Sequence, residues 1–149
     1  MQNIRAFKDF MEQPRKVVIV THHKPDADAL GSSLGLSGYL KMKGHSVQVI
    51  TPSDYPEFLH WMPGNSEVIA YEKSREMQIV KAIEQAEIIF CLDFSGLNRI
   101  QDLTEPVRKS VAKKVMIDHH LEPENFAEFV QWDAQSASTA GLVYNLIVE

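Results

Sequence analysis

A chain of 149 residues, 44% hydrophobic and 23% charged, has the size and mix of one globular domain with a sizeable core. A formal net charge of −5 argues against a non-specific grip on long duplex nucleic acid, which needs many Lys and Arg contacts, but leaves small metal-held phosphates open. A lone cysteine, Cys91, excludes an intrachain disulfide, and no apolar run reaches the roughly 18 residues of a membrane span, so a cytoplasmic protein without membrane contact is expected.

Residues 3–12 carry Ile4, Phe7, Phe10 and Met11 at helical spacing, and Pro14 closes that helix. Val17-Val18-Ile19-Val20-Thr21 reads as a buried strand, and His22-His23-Lys24-Pro25-Asp26-Ala27-Asp28 leads from it into a helix over 28–43. Interior glycines cost about 1 kcal/mol each against alanine. Gly31, Gly35 and Gly38 therefore imply close approach, either tight packing on the sheet (preferred for Gly35 and Gly38) or an anion at the helix start. Gly44 ends the helix, and Val47–Ile50 completes a β-α-β unit, right-handed by the general rule.

Thr51-Pro52-Ser53-Asp54 turns into a flap containing Phe58, Leu59, Trp61 and Met62, closed by Pro63-Gly64. Trp61 and His60 could cover a substrate base, although an apolar flap with a solvated histidine is the commoner meaning of such a segment. A short strand over 68–71 follows, then an amphipathic helix over 74–86 with Met77, Val80, Ala82 and Ile83 inward. A strand over 87–92 holds Cys91 in the core. A helix runs from Pro106 to 112, a strand covers 115–117 and an edge strand 126–130, and Ser136-Ala137-Ser138-Thr139 opens a last helix. The expected fold is α/β and Rossmann-like, with three layers in one domain over 1–149. Its central sheet is mostly parallel, of about five strands, with helices on both faces.

Three of these strands end in the same chemistry. The first leads to His22, Asp26 and Asp28, the 87–92 strand to Asp93, and the 115–117 strand to Asp118, His119 and His120. In an open α/β sheet, ligands bind at the carboxyl ends of the strands. Bare carboxylates brought so close repel one another, and a divalent cation is the usual remedy. Carboxylate and imidazole donors suit Mn, Fe, Zn or Mg, and no thiolate is offered. Two such metals about 3.5–4 Å apart can generate hydroxide and clamp an in-line phosphoryl displacement, with Asp93 the candidate bridge. Singly, an aspartate after a strand is as often a helix N-cap, which could account for Asp28 or Asp93. No Gly-x-Gly-x-x-Gly or P-loop occurs.

Taken together, His22-His23-Lys24-Pro25-Asp26-Ala27-Asp28-Ala29-Leu30-Gly31-Ser32, Asp93, Asp118-His119-His120 and Ser138-Thr139 resemble the DHH phosphoesterases from residue 15 onward. The branch they are most similar to contains the oligoribonucleases that also dephosphorylate 3′-phosphoadenosine 5′-phosphate. The resemblance implies two manganese ions, with Mg²⁺ or another divalent cation possible in their place. His22 and Asp26 would hold one, Asp28 and His119 the other, and Asp93 would bridge. It further implies that Asp118 orients a histidine, that His120 touches the scissile phosphate, and that Arg99 steadies a phosphate, although an ordinary surface arginine is nearly as good a reading there. Ser138 and Thr139 are expected to cap the last helix.

The implied substrates are short oligonucleotides or small nucleotide phosphates. Cyclic-dinucleotide hydrolysis, family II pyrophosphate hydrolysis and a non-catalytic nucleotide-binding role remain alternatives. Relatives are often dimeric. They usually supply one more metal-binding aspartate from an Asp-Thr pair and a smaller C-terminal domain that grips substrate. Asp133 sits too early for that ligand, so the chain is expected to be the catalytic domain alone, poorly active by itself.

Overall fold

The computed structural model describes residues 1–149. Its elements run α1 (Ile4–Phe10), β1 (Lys16–Val20), α2 (Ala27–Met42), β2 (Ser46–Thr51), β3 (Ile69–Ala70), α3 (Glu76–Gln85), β4 (Ile88–Leu92), α4 (Thr104–Lys109), β5 (Lys113–Asp118), β6 (Phe129–Trp132) and α5 (Thr139–Val148). The sheet has six strands, one more than expected, in the order β3-β2-β1-β4-β5-β6. Every neighbouring pair is parallel. The strand order reverses between β1 and β4, and that switch point opens the crevice in which doubly wound sheets take ligands.

Strands buried on both faces read as continuous apolar runs, which is why β1, β4 and β5 are so plain in the sequence. Their alternate side chains feed two cores. Val17, Ile19, Phe90, Leu92, Val115 and Ile117 pack against Phe7 of α1, Leu36 and Leu40 of α2, and Leu142, Val143 and Leu146 of α5. Val18, Val20, Ile89 and Cys91 face the other way, onto Ile79 and Ile83 of α3 and Leu103 and Val107 around α4.

Several details differ from the sequence expectation. Residues 97–103 form 3-10 turns broken at Gln101 that lead into α4, which spans Thr104–Lys109 rather than 106–112, so Pro106 lies in the first turn of α4. Proline is tolerated there because the first-turn N–H groups have no helical partner. The last strand begins at Phe129 rather than at residue 126, because Phe126 leaves the sheet edge to stack on Phe94, 6.4 Å between ring centres. On α3 the buried stripe is Ile79 and Ile83, while Met77 is exposed. The glycines of α2 are not close-approach points. A Cβ built on Gly31, Gly35 or Gly38 meets nothing within 4 Å.

Candidate metal centre

Val20 pairs with Cys91, and Cys91 with Met116. Two residues beyond each of these stand His22, Asp93 and Asp118, which therefore leave the sheet at one level.

Asp93 is the hub. It follows β4 with a left-handed φ of 67° and is 2% exposed. Its N–H donates to the Ile117 carbonyl (3.0 Å), which pins the turn to β5. One carboxylate oxygen, Oδ2, lies 3.3 Å from His22 Nε2, and the other, Oδ1, lies 3.4 Å from His119 Nε2. The Thr139 hydroxyl donates to Oδ1 from the start of α5 (2.8 Å).

His22 Nδ1 lies 2.8 Å from the His23 carbonyl, so its proton belongs on that side and Nε2 faces Asp93. Asp26 Oδ1 is 3.9 Å from the same Nε2. The hydrogen bond to Asp93 raises the His22 pKa above the usual imidazole value against the opposite pull of burial, and the His23 carbonyl and nearby carboxylate charge add to the rise.

Asp26, rather than Asp28 or Asp93, caps α2, accepting the Ala29 N–H at 2.9 Å. Asp28 reaches across to the N-terminus of α5. Its two oxygens accept the N–H groups of Thr139 (3.0 Å) and Ala140 (2.9 Å), where the helix dipole favours a negative charge. His119 Nε2 is 3.6 Å from Asp28 Oδ2. Ser138 caps α5 as expected, through Gly141 N–H. Thr139 does not cap the helix, contrary to expectation: it is the first helical residue, and its hydroxyl donates to Asp93 instead. Its place at the start of an apolar helix was the available signal, but nothing local in the sequence says which acid it meets.

Asp118 is fully buried, and its Oδ1 lies 2.6 Å from His120 Nδ1. Its Oδ2 has no hydrogen-bond partner. Ligand atoms of Asp93, Asp118, His119 and His120 all lie within 4.8 Å of one another, as do those of His22, Asp26 and Asp93. Arg99 stands apart. Its carbonyl accepts the His23 N–H (2.8 Å), but its side chain is exposed and in no ion pair. A cleft of about 820 Å³ along β6 and α5 contains none of these groups.

The donors are carboxylate oxygens and imidazole nitrogens, two imidazoles aim Nε2 at one carboxylate, and a buried acid oxygen beside them is unsatisfied. These features fit a divalent cation of the oxygen- and nitrogen-preferring kind. Cys91 offers no thiolate, because complete burial pushes its thiol up to about 12.

Residues 16–149 match the DHH family, N-terminal domain. This chain belongs to the DHH family. It is 31% identical over 131 residues to the bifunctional oligoribonuclease and PAP phosphatase NrnA of Thermus thermophilus, an alignment covering 88% of this chain and 36% of that protein. The NrnA of Bacillus subtilis is 28% identical over 134 residues, covering 89% and 38%. Among solved structures, an exopolyphosphatase-related protein from Bacteroides fragilis superposes with a TM-score of 0.93 at 42% identity, covering 97% of this chain and 42% of the other. The exonuclease RecJ bound to manganese shares the fold at a TM-score of 0.56 and 17% identity. The DHH chain thus spans well under half the length of the relatives it matches. No helix in it is long and apolar enough to cross a membrane.

Proposed function

We propose that this DHH chain carries the catalytic domain of a metal-dependent phosphoesterase acting on short oligonucleotides or small nucleotide phosphates in the cytoplasm. The observation behind this reading is Asp93, one carboxylate shared by two groups of candidate ligands, His22 with Asp26 and Asp118 with His119 and His120. Asp28 falls in neither group and meets the second only through His119, 3.6 Å away. His22 and Asp26 would hold one cation, Asp28 and His119 the other, and Asp93 both, with Mn²⁺ the proposed metal and Mg²⁺ the nearest substitute. A pair of such ions supplies an activated water and charge neutralisation for in-line displacement at phosphorus.

The chain's own residues set the stage for that chemistry. Thr139 fixes the Asp93 carboxylate, the Ile117 carbonyl fixes the Asp93 backbone, and the His23 carbonyl fixes the His22 ring. Asp118 holds His120 by Nδ1, which leaves Nε2 of that half-exposed ring free to face a phosphate. Arg99, exposed and joined through its carbonyl to His23, would steady a substrate's outer phosphate. The NrnA relatives motivate the substrate class.

The test is release of mononucleotide from an RNA dinucleotide, and of phosphate from 3′-phosphoadenosine 5′-phosphate, by chain supplied with Mn²⁺. Metal-dependent turnover that disappears in Asp93→Asn is expected. Equal turnover by wild type and variant would end the reading. The exopolyphosphatase-related neighbour favours a second one, hydrolysis of inorganic polyphosphate or pyrophosphate, and competition between dinucleotide and pyrophosphate separates the two.

A further inference from the structure

Beside the metal centre lies a cleft of about 540 Å³ whose walls include Lys24, Pro25, Asp26, Asp54, Tyr55 and Phe58. That volume is in the range of small-molecule sites. Asp26 belongs to both places, so the cleft opens directly onto the candidate ligands.

The outer wall is built rather than draped. The Lys24 N–H donates to Ser53 Oγ (2.7 Å), which ties the loop after β1 to the loop after β2, and Thr51 Oγ1 donates to the Ser53 carbonyl (2.8 Å), which braces the second loop internally. Tyr55 is held by its hydroxyl on Asn65 and by an edge-on contact with His60, 5.1 Å between ring centres. On this fixed frame Phe58 is 73% exposed and pairs with no other ring. Single exposed apolar side chains are common on protein surfaces; Phe58 differs in lining a concave cleft that shares Asp26 with the candidate ligands. Trp61, the sequence candidate for covering a base, is equally exposed but does not line the cleft.

Asp26, common to the cleft and the cluster, sets the direction of the occupant. Lys24, two residues before Asp26, lines the cleft without forming an ion pair, in a left-handed conformation (φ 52°) that a lysine seldom adopts. Asp54, which follows the Ser53 that binds the Lys24 N–H, lines the same cleft and accepts from amino or hydroxyl donors. We infer that the cleft seats the nucleoside of a nucleotide whose phosphate lies at the metal centre, with Phe58 as the shelf on which the base stacks. The inference rests on the phosphoesterase reading and narrows it. An aromatic shelf serves a nucleotide and is idle toward inorganic polyphosphate.

Base-on-aromatic stacking is lost on alanine substitution to the extent of about tenfold or more in affinity. Calorimetric titration of the chain in Mn²⁺ with adenosine 5′-monophosphate and with ribose 5-phosphate isolates the contribution of the base. Wild type is expected to prefer the nucleotide by about tenfold. Phe58→Ala, which removes a largely exposed side chain, should bring the two affinities together. Met77→Ala, on the exposed face of α3, should leave the preference intact. Equal affinities in wild type, no binding of either ligand, or an undiminished preference in Phe58→Ala would overturn the shelf. Dinucleotide hydrolysis together with equal affinities removes the shelf and keeps the phosphoesterase. A preference that depends on Phe58 in a chain without metal-dependent hydrolysis does the reverse.

Discussion

Asp93 occupies a backbone conformation that Asn and Asp tolerate and most other residues do not. Asparagine therefore keeps the turn while deleting the charge, whereas alanine adds strain to the loss. Asp93→Asn is expected to fold and to bind Mn²⁺ more than about a hundredfold weaker, beyond what is typical of outer-shell changes, as read by calorimetry. Asp118→Asn acts one step further out, through the His120 ring, and should lower turnover by roughly ten- to a hundredfold with the metal retained. Unchanged turnover would remove Asp118 from any orienting role. Cys91 supplies a control on the core. With its thiol at about 12 and fully buried, it should resist iodoacetamide at pH 8 until denaturant is added, and rapid labelling of the native chain would contradict the burial described.

Helix α2 carries glycines at positions where its neighbours leave room. Gly35 and Gly38 are exposed and a methyl group fits at either, so Gly35→Ala or Gly38→Ala should each stabilise the chain by about 0.5–1 kcal/mol in thermal or chemical unfolding. The sequence shows that these glycines are costly but not which way they point, which is why close packing was the natural expectation.

β2 begins beside a pH-sensitive group. His45 is buried and accepts the Arg15 N–H at Nδ1, and burial, followed by the Arg15 charge, lowers its pKa. The unfolded chain therefore takes up a proton there before the folded one does. Stability from this site is complete above about pH 6.5 and is lost as pH falls from there through the lowered folded value. Melting between pH 7.5 and 5.5 should show a smaller acid loss in His45→Asn than in wild type. The strands were legible because parallel burial makes them apolar throughout. The edge was not, since Phe126-Ala127-Glu128-Phe129-Val130 looks like a strand from its first residue until Phe94 is seen to claim Phe126.

At the scale of the molecule, the strand order is the step that local pattern could not supply. The sequence shows three strand ends bearing acids and imidazoles. Only the order β2-β1-β4-β5 makes them neighbours, with His22 and Asp93 on either side of the switch point. Asp26, Asp28, Asp93 and Asp118 then crowd one rim of a chain that is already anionic. A cation bound only by the folded state stabilises it by about 2.7 kcal/mol at a hundred times Kd, which for this size is roughly 5–10 °C in Tm. Scanning fluorimetry with Mn²⁺ should show that rise in wild type and none in Asp93→Asn.

The bond from Thr139 to Asp93, with Asp28 reaching the same helix end, also bears on biosynthesis. A ribosome delivers His22, Asp26, Asp28, Asp93 and His119 before it delivers the residue that steadies their shared partner. The brace on Asp93 and Asp28 thus forms only once the last helix emerges and docks, and a chain cut short of it keeps these acids without their hydrogen-bond donors.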